Sequence, residues 1–93
     1  MEPTDPVKYV PRFASDLPVS EEATRRAVKL LETTKRDGVH SGKSPVGLAA
    51  AAIYAAAVLV NEDVTQHEVA EVADVSAVTI RSRYTELLEA EDE

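Results

Sequence analysis

The chain has 93 residues, with ten Lys or Arg against seventeen Asp or Glu, a net charge of −7, no cysteine and only four aromatic residues. That length suits one domain with a modest core. The absence of cysteine removes disulfides, thiolate zinc sites and a cysteine nucleophile together, and the shortage of aromatics leaves the core to Ala, Val, Leu and Ile. The charge is unevenly spread: residues 86–93 hold five acids and no base, so the remainder carries twelve acids against ten bases. The plain explanation is a solvated acidic surface with a frayed acidic tail over 89–93. A sharper one, favoured by scarce lysine and abundant Ala and Val, is adaptation to a salt-rich cytoplasm. The opening MEPTDP is polar and broken by proline, unlike an apolar signal segment.

Asp5-Pro6 and Pro11 keep the first ten residues extended or only loosely helical. Val10, Phe13 and Leu17 then share one face of a short helix, predicted over about 8–17 and ended by Pro18. Ser20 followed by Glu21 and Glu22 starts a second helix, with acids at the positive end of its dipole. Ala23, Ala27, Leu30 and Leu31 continue its apolar stripe, and Asp37-Gly38 ends it near residue 36. Arg25, Arg26, Lys29, Lys35 and Arg36 lie mostly outside that stripe and are expected to be a solvated face. In the next segment Ser44 caps and Pro45 takes the first helical position. From Pro45 to Val60 there is no charged residue, PVGLAAAAIYAAAVLV, and apolarity on all sides marks a helix surrounded by others. These sixteen Ala-rich residues fall short of the roughly twenty needed to span a membrane.

The last two predicted helices, about 65–73 and 76–89, form a helix-turn-helix. Thr65 and Glu68 make a capping box, and Val69, Ala70, Val72 and Ala73 supply a compact apolar side. The turn is Asp74-Val75, and Ser76 caps the second helix. In that helix Ile80, Tyr84 and Leu87, flanked by Ala77 and Leu88, form the buried stripe. Val78, Ser82 and Thr85 fall on the opposite side, and Arg81 and Arg83 border the stripe. Arginine can donate two bonds to guanine, and an apolar group can touch a thymine methyl, so this face has the chemistry of a major-groove reader. The same spacing also suits a packing corner. Two residues depart from the repressor form of the motif: Asp74 stands where the turn usually has glycine, and Arg83 where a buried aliphatic is expected. On the residues alone, DNA reading and plain packing both remain open.

The string SGKSPVGLAAAAIYAAAVLVNEDVTQHEVAEVADVSAVTIRSRYTELL closely resembles the second, C-terminal cyclin-like repeat of archaeal transcription initiation factor B, the counterpart of eukaryotic transcription factor IIB. With the upstream YVPRFASDL the likeness covers roughly residues 5–90. The most specific parts are GKSP before the Ala-rich helix and the TQ, VSAVTIR and Tyr84 run that follows it. In that family the two departures are part of the pattern.

The resemblance implies an all-α, five-helix cyclin-like fold with a C-terminal helix-turn-helix. It implies a non-enzymatic role in promoter recognition: the last helix enters the major groove of the factor B recognition element, upstream of the TATA box. Val78 and Arg81 match the family's base-reading positions. Ser76, Thr79, Ser82 and Arg83 surround them, Thr65 and Gln66 lie near backbone phosphates, and Lys43 and Ser44 contact phosphate at a helix start. The implied partners are promoter DNA and, within the full factor, TATA-binding protein and RNA polymerase, for a monomer in an archaeal, halophilic cytoplasm with no membrane association. No cofactor, metal site or catalytic constellation is expected, and His40 and His67 are expected to be plain surface residues. The family's zinc ribbon and first repeat are not in this sequence, so an excised domain and a short paralogue are both open. A cyclin-fold protein-interaction module and a stand-alone helix-turn-helix regulator are the alternative functions.

Overall fold

The computed structural model describes residues 5–36 and 45–91, which form one short 3-10 helix and five α-helices, with no strand among them. The expected first helix is two pieces, a 3-10 turn over Pro6–Tyr9 and helix α1 over Val10–Ser15. Pro11 has no N–H to offer the carbonyl of Val7. That carbonyl takes the Val10 N–H instead, and the tighter 3-10 spacing results. Asp5 caps the turn by accepting from the Val7 N–H at 3.0 Å. Tyr9 stacks on Phe13 with ring centroids 5.7 Å apart, which seats the segment on the core.

Helix α2 spans Glu21–Arg36 and buries Ala23, Ala27, Leu30 and Leu31, the predicted stripe. Ser20 starts it: its hydroxyl accepts from the Ala23 N–H at 3.1 Å. The expected stop at Asp37-Gly38 and the cap at Ser44 lie outside the described residues.

Helix α3, Pro45–Leu59, is the axis of the domain. Every residue from Leu48 to Ile53 and from Ala55 to Ala57 is buried, because α2, α4, α5 and the N-terminal segment all pack on it. Seven alanines and a glycine make this enclosure possible, since small side chains let neighbouring backbones approach from several sides. Among the described residues no helix is long and apolar enough to cross a membrane. The helix ends on Asn61 in the left-handed conformation (φ 65°). The Asn61 N–H donates to the Val58 carbonyl and the Glu62 N–H to the Ala57 carbonyl, which satisfies two of the carbonyls in the last turn.

Helix α4 is Gln66–Ala73 and α5 is Ala77–Glu91. The capping box is present in both directions: the Glu68 N–H donates to the Thr65 hydroxyl and the Thr65 N–H to the Glu68 carboxylate, each at 3.1 Å. Asp74 adopts φ 57°, ψ 46°, the conformation glycine usually supplies at this point. A short polar side chain tolerates that region better than most. Val75 packs half-buried against the core between the two helices. Val69 and Ala73 of α4 and Ile80 and Leu87 of α5 complete the core. Tyr84 meets Tyr54 of α3 edge to face at 5.0 Å.

Substituting Ala52, fully buried in α3, with leucine inserts three carbons where neighbours pack from several sides. Ala52→Leu is expected to destabilise the domain by about 1–3 kcal/mol, measured by chemical denaturation; unchanged stability would show that α3 is not tightly enclosed.

Candidate nucleic-acid interface

Helix α5 positions the candidate reading face. Ser76 opens the helix, its hydroxyl accepting from the Thr79 N–H at 3.1 Å and bonding the Thr79 hydroxyl at 2.9 Å. With Ile80 and Leu87 anchored below, the opposite side is solvent-facing: Val78, Arg81, Ser82 and Thr85 are all exposed. Val78 is 73% exposed, the most exposed of the large hydrophobic residues described. Burying it would be favourable, and no neighbour among the described residues does so. The Arg81 guanidinium has no ion pair or hydrogen bond within the described residues, and its charge is therefore available to an external acceptor.

The remaining predicted site residues divide by what their side chains already do. Ser76 and Thr79 are joined to each other in the cap, and Thr65 is used in its capping box, so all three hydroxyls first serve to start helices. Gln66 is half-buried at the first position of α4. Arg83 turns away from the exposed face, about 200° around the helix from Arg81, and its Nη1 donates to both carboxylate oxygens of Glu86 at 2.9 and 3.0 Å. Only 28% and 34% of these two side chains are exposed, and the pair flanks the packed side of α5. Lys43 and Ser44 lie outside the described residues. Thr85 belongs with the exposed group although it was not among the predicted contacts; its position seven residues after Val78 is the signal that identifies it.

The charges around the pair are segregated. From Asn61 to Asp74 there are five acids and no Lys or Arg, whereas Ser76 to Thr85 holds two arginines and no acid. Two of the five acids are engaged by backbone N–H groups. Glu68 completes the capping box, and Glu62 accepts from the Ser20 N–H at 2.9 Å, which ties the α3–α4 turn to the start of α2. The hydroxyl and N–H of Ser20 hold the Glu62 carboxyl below the ordinary value of 4.5. Among the described residues no group of three or more His, Asp or Glu is placed to hold a metal ion.

A family model described as the transcription factor TFIIB repeat matches residues 1–90. The chain belongs to that family. Its members are transcription initiation factors and not enzymes, and the five-helix arrangement around α3 is the family's cyclin-like fold. Transcription initiation factor IIB 6 of Halobacterium salinarum is 71% identical over 90 residues, covering 97% of this chain and 28% of the relative. Transcription initiation factor IIB of Haloarcula vallismortis is 60% identical over 90 residues, covering 97% of this chain and 79% of the relative. The Pyrococcus horikoshii factor of the same name is 55% identical over 84 residues, covering 90% and 28%. The chain thus spans little more than a quarter of the first and third of these relatives.

The Glu62 clasp has a pH signature. A carboxyl whose folded pKa is depressed stabilises the fold above its unfolded pKa and loses that contribution as pH falls through the folded value. Wild type is expected to melt above Glu62→Gln at neutral pH, with the gap closing as the pH drops below 4.5. A gap that persists into acid would show that the carboxylate charge is not what holds Ser20.

Proposed function

We propose that this chain is the second repeat of an archaeal transcription initiation factor B, and that its helix-turn-helix reads the recognition element upstream of the TATA box. Helix α5 enters the major groove, Val78 meets a thymine methyl or another apolar base edge, and Arg81 donates to a guanine. Thr65 and Gln66, at the start of α4, approach the backbone phosphates. Bound there, the repeat stabilises the complex of TATA-binding protein with the promoter, and with the rest of the factor it supports recruitment of RNA polymerase. The observation that carries this reading is the exposed Arg81, with no side-chain partner among the described residues, beside an exposed Val78 on the second helix of the pair. Arg83, Ser76 and Thr79 support the face from within the helix, through an ion pair and a cap.

The acidity of the chain is consistent with a cell interior rich in salt, as is its similarity to factors of Halobacterium, Haloferax and Haloarcula. Phosphate contacts weaken as salt rises because less is gained from counterion release. At about 1 M salt the screening length is about 3 Å, so repulsion between surface acids and DNA is largely suppressed while base-edge contacts remain. In the archaeal cytoplasm the repeat therefore relies on its reading face more than on bulk charge.

Fluorescence titration of labelled duplexes, with and without a purine-rich upstream element, in about 1 M salt, tests this directly. Arg81→Ala is expected to remove about 1–3 kcal/mol of discrimination between the two duplexes, whereas Arg83→Ala leaves the discrimination in place. An element preference unchanged in Arg81→Ala would refute groove reading by α5.

A further inference from the structure

A threonine inside a helix has two branches to place, a hydroxyl and a methyl, and the hydroxyl can bond a carbonyl of the preceding turn. Three threonines do so here. Thr24 donates to the Ser20 carbonyl at 3.0 Å, Thr33 to the Lys29 carbonyl at 3.1 Å, and Thr85 to the Arg81 carbonyl at 3.1 Å. Thr85 is exposed, so the branch it has left to offer outward is apolar. Ser82, three residues earlier, differs: among the described residues no hydrogen bond engages its hydroxyl. Thr85 follows Val78 by seven residues, which places the two within about 20° of one another around α5 and about 10 Å apart along it. The outer stripe therefore runs apolar, polar, apolar, through the Val78 methyls, the Ser82 hydroxyl and the Thr85 methyl.

We propose that Thr85 is a further specificity-determining residue of the α5 face, and that it reads DNA through its methyl group and not its hydroxyl; this rests on the groove reading proposed above. The group it fits is the C5-methyl of a thymine, the apolar group that an A·T pair presents in the major groove. That groove is about 12 Å wide, so a helix seated by Val78 and Arg81 has room to keep Thr85 within it. Contact between two methyls takes the apolar surface of both out of water. Such a contact carries no charge and is not screened, which suits a chain whose phosphate contacts weaken in concentrated salt. The hydroxyl has its proton committed to the Arg81 carbonyl and serves the helix. A residue of polar type thus makes an apolar contact.

The test is a set of titrations of the whole chain in about 1 M salt, with the element duplex in its ordinary form and with deoxyuridine in place of every thymine of the element. Deoxyuridine lacks only the C5-methyl and keeps the hydrogen-bonding edge. Thr85→Ser keeps the hydroxyl and removes the methyl, whereas Thr85→Val keeps a methyl and removes the hydroxyl. Thr85→Ser is expected to weaken binding to the thymine duplex about fourfold and to leave binding to the deoxyuridine duplex unchanged. Thr85→Val should bind the thymine duplex as tightly as wild type does. The proposal is overturned if Thr85→Ser weakens both duplexes equally or neither, or if Thr85→Val loses as much as Thr85→Ser on the thymine duplex. Arg81→Ala, measured in parallel on duplexes with and without the element, separates the two failures. If it lowers the element preference while Thr85→Ser changes nothing, the groove reading stands and the role of Thr85 falls. If Arg81→Ala keeps the full preference, both fall.

Discussion

Everything in this domain depends on α3 being built largely of small side chains. A helix touched by α2, α4, α5 and the N-terminal segment can be enclosed only if its own surface is thin, and the alanine runs on both sides of Ile53-Tyr54 meet that condition. Enclosure in turn fixes α5. Ile80 and Leu87 are anchored in the core with no exposed surface, and Tyr84 rests on Tyr54, so the rotation of α5 about its axis is determined. The opposite face must then look outward, and Val78, Arg81, Ser82 and Thr85 are the residues the sequence has there.

The parts of this arrangement that were legible in the sequence are those set by local chemistry. The capping box of Thr65 and Glu68, the start of α5 at Ser76 and the buried stripe of Ile80, Tyr84 and Leu87 follow from short-range spacing, and the described helices contain them. What was not legible depends on backbone geometry and on choice between partners. Pro11 could be seen to disturb the first helix, but not that Val10 would take its place on the Val7 carbonyl. Asp74 looked like a misfit for a glycine position until its left-handed conformation was seen. Arg83 has the residue type of a DNA contact, yet Glu86 at the next turn holds it. The link from Ser20 to Glu62, forty-two residues apart, has no sequence signal of any kind.

The acidity of the chain is arranged rather than uniform. Acids gather on α4 and the turn before it, while the first half of α5 carries none. Two of the acids near the start of α4, Glu62 and Glu68, accept from backbone N–H groups at the surface, where they serve the fold at helix starts. The negative charge lies in residues 61–74 and 86–93, while residues 1–60 hold seven acids against eight Lys or Arg. On the proposed reading, low salt would let those two acidic segments oppose DNA, and high salt would screen them and leave the α5 face to act at short range.

The central claim is that the exposed side of α5 is where DNA binds. Backbone amide shifts of the nitrogen-15-labelled chain, followed while the element duplex is added in concentrated salt, test it most directly. The account predicts that the largest changes fall on Val78, Arg81, Ser82 and Thr85, with smaller ones at Thr65 and Gln66, while Ala23, Ala27 and Ala52 stay in place. Changes concentrated on α2 or α1, with α5 unmoved at saturating duplex, would contradict it.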